Sequence, residues 1–237
     1  MKTLVLFDID GTLVLTGRAG VRALERALSE ICGRAGMLDG VAIAGRTDRA
    51  IITDALTAGG LALTEPTYFA VRDRYCDYLA GEVHADTPHP KLVLPGVASA
   101  LEQLRPLEAE GAVSVGLLTG NFVRGAEIKL GHFDLWTRFT FGAFGDGHVD
   151  RRDLVPVAID AAARAGEGTF AAEQIVIIGD TPADVDCAHA HGARAIAVAT
   201  GTYSVEQLKA TGAEVVVPDL SDWSAAWRGV YPFRPNQ

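Results

Sequence analysis

The chain has 237 residues, of which 49% are hydrophobic and 22% charged, a composition typical of a globular protein rather than a disordered one. The 21 basic and 30 acidic residues give a formal net charge of −9, which argues against nucleic-acid or anionic-membrane partners. Three widely spaced cysteines outside any ligand motif, and an N-terminus without a long apolar segment, predict a cytoplasmic protein with no disulfide framework and no membrane span.

Short runs of continuous apolar residues predict the strands of a parallel sheet. In chain order the runs are Thr3 to Phe7, Val113 to Leu118, Phe139 to Phe141, Ile175 to Ile178, Ala195 to Val198 and Val215 to Val217. Continuous apolarity is expected where helices cover both faces of a sheet. We therefore predict an α/β fold with a Rossmann-like, three-layer core.

Helical rather than strand periodicity marks the segment between the first strand and a Pro-containing linker at 85–95. Apolar residues recur at helical spacing from Val21 to Ile31 and again from Ile51 to Leu56, and residues 68–79 fit a third helix. We therefore predict a mostly helical cap domain over residues 16–89, inserted into a core made of residues 1–15 and 90–237.

Three of the apolar runs end in polar residues. Asp8 follows the first run, Thr119, Gly120 and Asn121 follow the second, and Asp180 follows the run at 175–178. In an open parallel sheet the ligand crevice lies at the carboxyl ends of the strands, so these distant segments are expected to converge. The functional site is therefore predicted at that end of the sheet.

Carboxylates dominate this predicted site. Asp8 and Asp10 lie two residues apart, on one face if the strand conformation continues, and Asp180 and Asp184 add two further acids. Like charges this close raise one another's pKa unless a cation holds them ionised. All-oxygen ligation with few protein ligands suits Mg²⁺, so we predict a magnesium site at Asp8, Asp10, Asp180 and Asp184.

A carboxylate beside Mg²⁺ can attack phosphorus and form an aspartyl-phosphate. In that hypothesis Asp10 protonates the leaving alcohol and then takes a proton from the attacking water. Thr119 and the backbone N–H groups of a helix that begins near Phe122 would hold the phosphoryl oxygens. The sequence has no GxxxxGK[ST] motif, so P-loop nucleotide chemistry has no support.

The residues at the strand ends resemble the motifs of a known family. Asp8-Ile9-Asp10-Gly11-Thr12, Leu118-Thr119-Gly120-Asn121 and Gly179-Asp180-Thr181-Pro182-Ala183-Asp184 are similar to the first, second and fourth motifs of the haloacid dehalogenase (HAD) superfamily, in a phosphoglycolate-phosphatase-like layout. The resemblance covers the whole chain. It implies Asp8 as nucleophile, Asp10 as acid and base, and Mg²⁺ bound by Asp8, Asp180 and the backbone carbonyl of Asp10. It also implies Asp184 as a supporting ligand, direct or through water.

The third motif of that family departs from its usual form in this chain. Relatives place a Lys near the start of the helix that precedes the fourth motif, whereas Arg151 and Arg152 stand there. We favour Arg151 as the phosphate-binding cation, because it lies at the expected helix start and Arg can bind phosphate through two N–H groups. Lys129 is the alternative, although helical rise puts its Cα roughly 10 Å from the crevice.

Simpler structural roles are also open for several of these residues. Thr119 could cap a helix, and residues 181–184 match a capping box in which Asp184 caps the helix instead of binding metal. Arg46 precedes a helix that Thr47 could cap. It either reaches over the crevice and selects an anionic substrate group, or is a solvated surface residue.

The predicted reaction is hydrolysis of a small phosphorylated metabolite, with the insert closing over the site. The nearest alternative is a phosphomutase of the β-phosphoglucomutase type, which would also need Asp10. A non-catalytic binding protein with the same fold is a further alternative, against which Asp8, Asp10 and Asp180 argue. By the resemblance, Asp10 disfavours dehalogenation and phosphonate cleavage. The sequence names neither the substrate nor the oligomeric state.

Overall fold

The central feature of the computed structural model, which describes residues 2–231, is a parallel sheet. Its strands are β1 (Thr3–Phe7), β4 (Val113–Leu118), β5 (Gly142–Ala143), β6 (Ile175–Gly179), β7 (Arg194–Val198) and β8 (Val215–Val217), while β2 (Val14–Thr16) and β3 (Lys91–Val93) form a separate ribbon. Within the described range the strand order is β5-β4-β1-β6-β7-β8. Because β1 lies between β4 and β6, a crevice opens at its carboxyl end, where the chain leaves to either side.

Helices cover both faces of this sheet. Their bounds are α4 (Val97–Ala109), α5 (Val123–Gly131), α6 (Leu154–Arg164), α7 (Pro182–His189), α8 (Val205–Lys209) and α9 (Trp223–Val230). Val5 and Phe7 of β1 pack in one apolar cluster with α4, α5 and α9, whereas Leu4 and Leu6 pack in another with α6, α7 and α8. This arrangement confirms the predicted three-layer α/β core. It also explains why β1 is apolar from Leu4 to Phe7.

The segment between β2 and β3 is helical. It contains α1 (Ala19–Cys32), α2 (Asp48–Ala58) and α3 (Glu65–Glu82), which share an apolar cluster of their own that includes Leu24, Leu28, Ile52, Leu56 and Tyr75. Phe122, which follows β4 in the core, also belongs to this cluster. The helical segment therefore packs onto the core beside the predicted site.

The chain enters and leaves the helical segment through two paired strands. β2 and β3 run antiparallel, and the pairing is extended where Leu94 N donates to Leu13 O at 2.9 Å and Gly17 N donates to Pro90 O at 3.0 Å. No strand was expected here, because runs this short carry no periodic signal and form through pairing with their neighbour. The ribbon brings both connections of the segment side by side.

The predicted strand at 139–141 is wrong. Phe139 instead ends a 3-10 turn (Trp136–Arg138), and the paired strand is Gly142–Ala143. Phe139 packs its ring on Phe7, with the ring centroids 6.3 Å apart. The run therefore lies just before the strand, and of its residues Phe141 joins the pairing with β4, where its carbonyl accepts from Leu117 N at 3.2 Å.

Met1 and residues 232–237, the ends of the predicted core, lie outside the described residues. Among the helices from residue 2 to residue 231, none has the length and apolar character needed to cross a membrane.

Candidate active site

Asp8 is the first residue beyond β1, and it lies at the bottom of the crevice. Its backbone N–H donates to Ile178 O at 2.9 Å, and its side chain is buried. Gly11 then turns the chain with φ of +79°, and a Cβ at this position would collide with the carboxylate of Asp180. The glycine of the first motif is therefore needed for two reasons, its backbone conformation and the close approach of Asp180.

Three buried carboxylates meet at this point. Asp8, Asp180 and Asp184 each offer an oxygen atom, and these atoms lie within 4.8 Å of one another. Thr12 Oγ1 donates to Asp180 Oδ1 at 3.3 Å, and Gly201 leaves no room for a Cβ beside the same carboxylate. The structure therefore brings together Asp8 and Asp180, which are 172 residues apart in the chain.

Burial makes the charges of this cluster costly. Burial raises the pKa of Asp8 to about 6, although the positive charge of Arg151 opposes the rise. Burial, together with the charges of Asp184 and Asp8, raises the pKa of Asp180 well above its ordinary value. A bound cation would remove this cost, because it favours the ionised carboxylates.

Arg151 lies in a 3-10 turn (Arg151–Asp153) just before α6 and contacts this cluster directly. Its Nη2 is 3.2 Å from Asp8 Oδ1 and 2.5 Å from Asp184 Oδ1, and the side chain is 7% exposed. Burial alone would lower the pKa of Arg151, but Asp184 and Asp8 raise it above its ordinary value. The guanidinium therefore stays charged and bridges two of the acids.

Asp184 has hydrogen-bond partners on both of its oxygens. Oδ1 accepts from Arg151, and Oδ2 accepts from Thr181 N at 3.0 Å and from Thr181 Oγ1 at 2.7 Å. The second set of contacts satisfies donors at the start of α7, as expected for a cap. Asp184 thus both caps its helix and orients Arg151.

A second polar network surrounds Asp10, whose side chain is 44% exposed. Lys129 Nζ donates to Asp10 Oδ2 and to Asn121 Oδ1, both at 2.6 Å. Asn121 Nδ2 donates to the same Asp10 Oδ2 at 2.9 Å and to Thr119 Oγ1 at 2.8 Å. One oxygen of Asp10 is therefore held by two donors, while the other accepts no side-chain hydrogen bond from residues 2–231.

Lys129 and Arg151 were alternatives in the sequence, and the structure places both in the crevice, on different carboxylates. The Cα of Lys129 was expected to lie too far down its helix for the side chain to reach the crevice. The side chain does reach it, because side chains on a helix lean toward its N-terminus, which here points to the crevice. Burial would lower the pKa of Lys129, but Asp10 and Asp48 raise it above the ordinary value.

The helical segment touches the site through the residues around the start of α2. Asp48 N donates to Gly120 O at 2.7 Å, and Asp48 Oδ2 accepts from Phe122 N at 2.9 Å. Thr47 Oγ1 donates to Val149 O at 3.2 Å. Burial raises the pKa of Asp48 to about 6, against the opposing charge of Lys129. Asp48 was not predicted as a site residue from the sequence, because an acid at the start of a helix is already explained by its favourable interaction with the helix dipole.

Arg46 lines the crevice and its backbone O lies close to Gly120, while its guanidinium pairs with its own helix, where Nη2 lies 2.6 Å from Asp54 Oδ2. A cavity of about 450 Å³ opens between the helical segment and the core. Its core side is lined by Asp8, Asp10, Gly120, Asn121, Thr119, Lys129, Arg151 and Asp180. The predicted residues thus converge on one cavity, with Asp184 beneath it and the side chain of Arg46 directed elsewhere.

The sequence matches the profile of the haloacid dehalogenase-like hydrolases over residues 5–189, so the chain belongs to that family, as the motifs suggested. A probable phosphatase, IndB, from Dickeya dadantii (strain 3937) is 30% identical over 225 residues, which cover 94% of this chain and 92% of that protein. A phosphoglycolate phosphatase from Pseudomonas putida (strain KT2440) is 25% identical, over 93% of this chain and 78% of the relative.

The fold is shared with solved structures. A β-phosphoglucomutase from Clostridium difficile superimposes with a TM-score of 0.73 over 97% of both chains, at 16% sequence identity. At that identity the similarity describes the architecture alone.

Proposed function

We propose that this hydrolase is a phosphatase that hydrolyses the monoester of a small phosphorylated metabolite. The observation that carries the proposal is the position of Asp8. It is buried at the end of β1, faces the cavity, lies 3.2 Å from a buried Arg151, and shares its surroundings with Asp180. The phosphatase names of the two relatives support the same reaction class.

Mg²⁺ fits the donor set on this chain. The three acids are all-oxygen donors, and the raised pKa values of Asp8 and Asp180 reflect a charge that a divalent ion would balance. Asp8, Asp180 and the backbone carbonyl of Asp10 would hold the ion, with Asp184 acting through water because both of its oxygens already accept hydrogen bonds. When bound, Mg²⁺ supplies positive charge that allows a carboxylate and a phosphoryl group to approach each other.

In the proposed reaction, a carboxylate oxygen of Asp8 attacks phosphorus while the bond from phosphorus to the alcohol oxygen breaks. Asp10 gives its proton to that oxygen, so that a neutral alcohol leaves and an aspartyl-phosphate remains on Asp8. Water then attacks the phosphorus, Asp10 takes its proton, and Asp8 is released with free phosphate. Arg151, Thr119 and the N–H groups of Gly120 and Asn121 are proposed to hold the phosphoryl oxygens.

The helical segment is proposed to act as a cap, with residues 16–89 as its extent. Its contact with the core through Asp48 lies directly beside Asn121, which holds Asp10. Closure there would exclude bulk water while the ester is cleaved. The β2–β3 ribbon, which carries both connections, would be the place where the cap pivots.

Product analysis tests the proposal. Purified protein is incubated with a panel of phosphate monoesters, including phosphoglycolate and sugar phosphates, with Mg²⁺ or with excess chelator. We expect free phosphate to be released with Mg²⁺ and activity to be lost with chelator. Full activity in chelator would remove the metal from the account. An isomerised sugar phosphate formed without phosphate release would establish the phosphomutase alternative instead.

A further inference from the structure

One part of the wall that the helical segment contributes to the cavity is apolar. It is formed by Val21 and Leu24 of α1, Ile43 in the following loop and Ile51 of α2. Leu24 and Ile51 are 3% exposed, and Val21 and Ile43 are half-buried against the same apolar cluster. The helical segment therefore presents the outer surface of its own core to the space that a leaving group would occupy.

Two of the charged residues that the helical segment contributes to the cavity already have partners. The guanidinium of Arg46 pairs with Asp54, and the carboxylate of Asp48 accepts from Phe122 N. Arg18, the other cavity-lining cation of this segment, is exposed at the first residue before α1.

The cations on the core side are also engaged. Lys129 binds Asp10, and Arg151 binds Asp8 and Asp184. A second anionic group on the substrate would thus have to compete with an existing carboxylate or reach Arg18. The two-carbon leaving group of phosphoglycolate would also contact little of the wall in a cavity of about 450 Å³.

We propose that the four residues Val21, Leu24, Ile43 and Ile51 bind the leaving group, and that the substrate is the phosphate monoester of an alcohol with an apolar body. The inference rests on the proposed phosphatase function and narrows its substrate class. It disfavours phosphoglycolate as the preferred substrate, because the four apolar side chains would desolvate the carboxylate of that molecule without supplying a hydrogen bond or a charge.

A homologous series of n-alkyl phosphates, from ethyl to pentyl, tests this inference. The leaving alcohols differ little in acidity, so the chemical step is held constant while apolar contact grows. We expect kcat/KM to rise about threefold to fourfold for each methylene group, as burial of that group would give. Phosphoglycolate and propyl phosphate form a matched pair of similar size, and we expect propyl phosphate to be hydrolysed at least tenfold more efficiently.

Two variants locate the effect. Val21→Asn and Ile43→Asn change half-buried side chains that line the cavity, and we expect each to flatten the rise in kcat/KM along the series. Leu61→Ser, at an exposed apolar residue that does not line the cavity, is the matched control and should keep the full rise.

The outcomes distinguish failure of the apolar leaving-group site from failure of the phosphatase proposal. A series without a rise, or a preference for phosphoglycolate over propyl phosphate, overturns the apolar leaving-group site while phosphate release still supports the phosphatase. No hydrolysis of any ester with Mg²⁺ overturns the phosphatase proposal, and the inference with it.

Discussion

The cavity has two cationic centres that differ in what surrounds them. Arg151 binds Asp8 and Asp184, and all three side chains are buried within the core. Lys129 binds Asp10 and Asn121 and lies against the helical segment, since a Cβ built on Gly20 would be 3.2 Å from its Nζ. The first centre can form without the helical segment, whereas the second is completed by it.

This difference suggests a division of roles. The Arg151 centre is proposed to hold the phosphoryl end, where the developing charge is the same for every substrate. The Lys129 centre is proposed to hold Asp10. Proton transfer from Asp10 contributes most to the rate when the leaving group is a poor one. Substitutions in the two centres should therefore respond differently to the leaving group.

Asp8→Asn should have the largest effect. The amide cannot act as the nucleophile, so turnover of both alkyl and aryl phosphates should fall to the background, a loss of at least about a thousandfold. Steady-state assays measure this, and thermal unfolding shows that the variant is folded. Asp186→Asn, at an exposed acid on α7, is the control and should keep activity. Undiminished turnover by Asp8→Asn would reject Asp8 as the nucleophile.

Arg151→Lys should have the next largest effect. The ammonium group cannot span Asp8 and Asp184 as the guanidinium does, so kcat/KM should fall about tenfold to a hundredfold, equally for alkyl and aryl esters. The neighbouring exposed Arg152→Lys is the control. A loss confined to alkyl esters would indicate that Arg151 assists proton transfer by Asp10, and would contradict the proposed difference between the two centres.

Lys129→Met should show the opposite pattern. Without Lys129, Asp10 loses one of the two donors that hold Oδ2, so esters with poor leaving groups should lose about tenfold or more in kcat/KM. An aryl phosphate, whose leaving group needs little protonation, should lose much less. Lys209→Met, on α8, is the control. Equal losses for both ester classes would contradict the assignment and favour a phosphoryl contact for Lys129.

Asp48→Asn should change stability more than activity. The folded-state pKa of about 6 exceeds the ordinary value of 3.8, so between these pH values the folded chain keeps a proton that the unfolded chain has released. The contribution of Asp48 to the free energy of unfolding therefore falls as the pH rises from about 4 to about 6.

Asn keeps an acceptor for Phe122 N without the buried charge. We expect the variant to gain stability relative to the parent as the pH rises, approaching about 3 kcal/mol at pH 7, and denaturant unfolding at several pH values measures the gain. Asp77→Asn, at an exposed acid on α3, should show no such trend. A constant difference between Asp48→Asn and the parent across this range would contradict the role of the buried carboxylate.

The parts of the molecule that could be predicted from sequence are those that repeat a simple rule. Continuous apolar runs predict the buried strands. Asp8 and Asp180 must lie close together because they follow neighbouring parallel strands. Lys129 and Asp48 follow no such rule. Their contacts depend on how α5 lies beneath the helical segment, which is a matter of tertiary packing.

Short or irregular segments also could not be predicted from the sequence. The β2–β3 ribbon is held by pairing across 75 or more residues between its strands, for which the two three-residue runs give no local signal. Phe139 reads as part of a strand but fills the core against Phe7. In each case a contact between distant residues decided the local structure.

Trapping the covalent intermediate tests the central claim, that Asp8 carries the phosphoryl group, most directly. Protein mixed rapidly with substrate and Mg²⁺ is quenched in acid, digested and examined by mass spectrometry. The account predicts that the peptide containing Asp8 transiently gains the mass of one phosphoryl group, that Asp186→Asn behaves likewise, and that Asp8→Asn and chelated protein do not. Phosphate release with full turnover, and no phosphorylated Asp8 at any time, would contradict it.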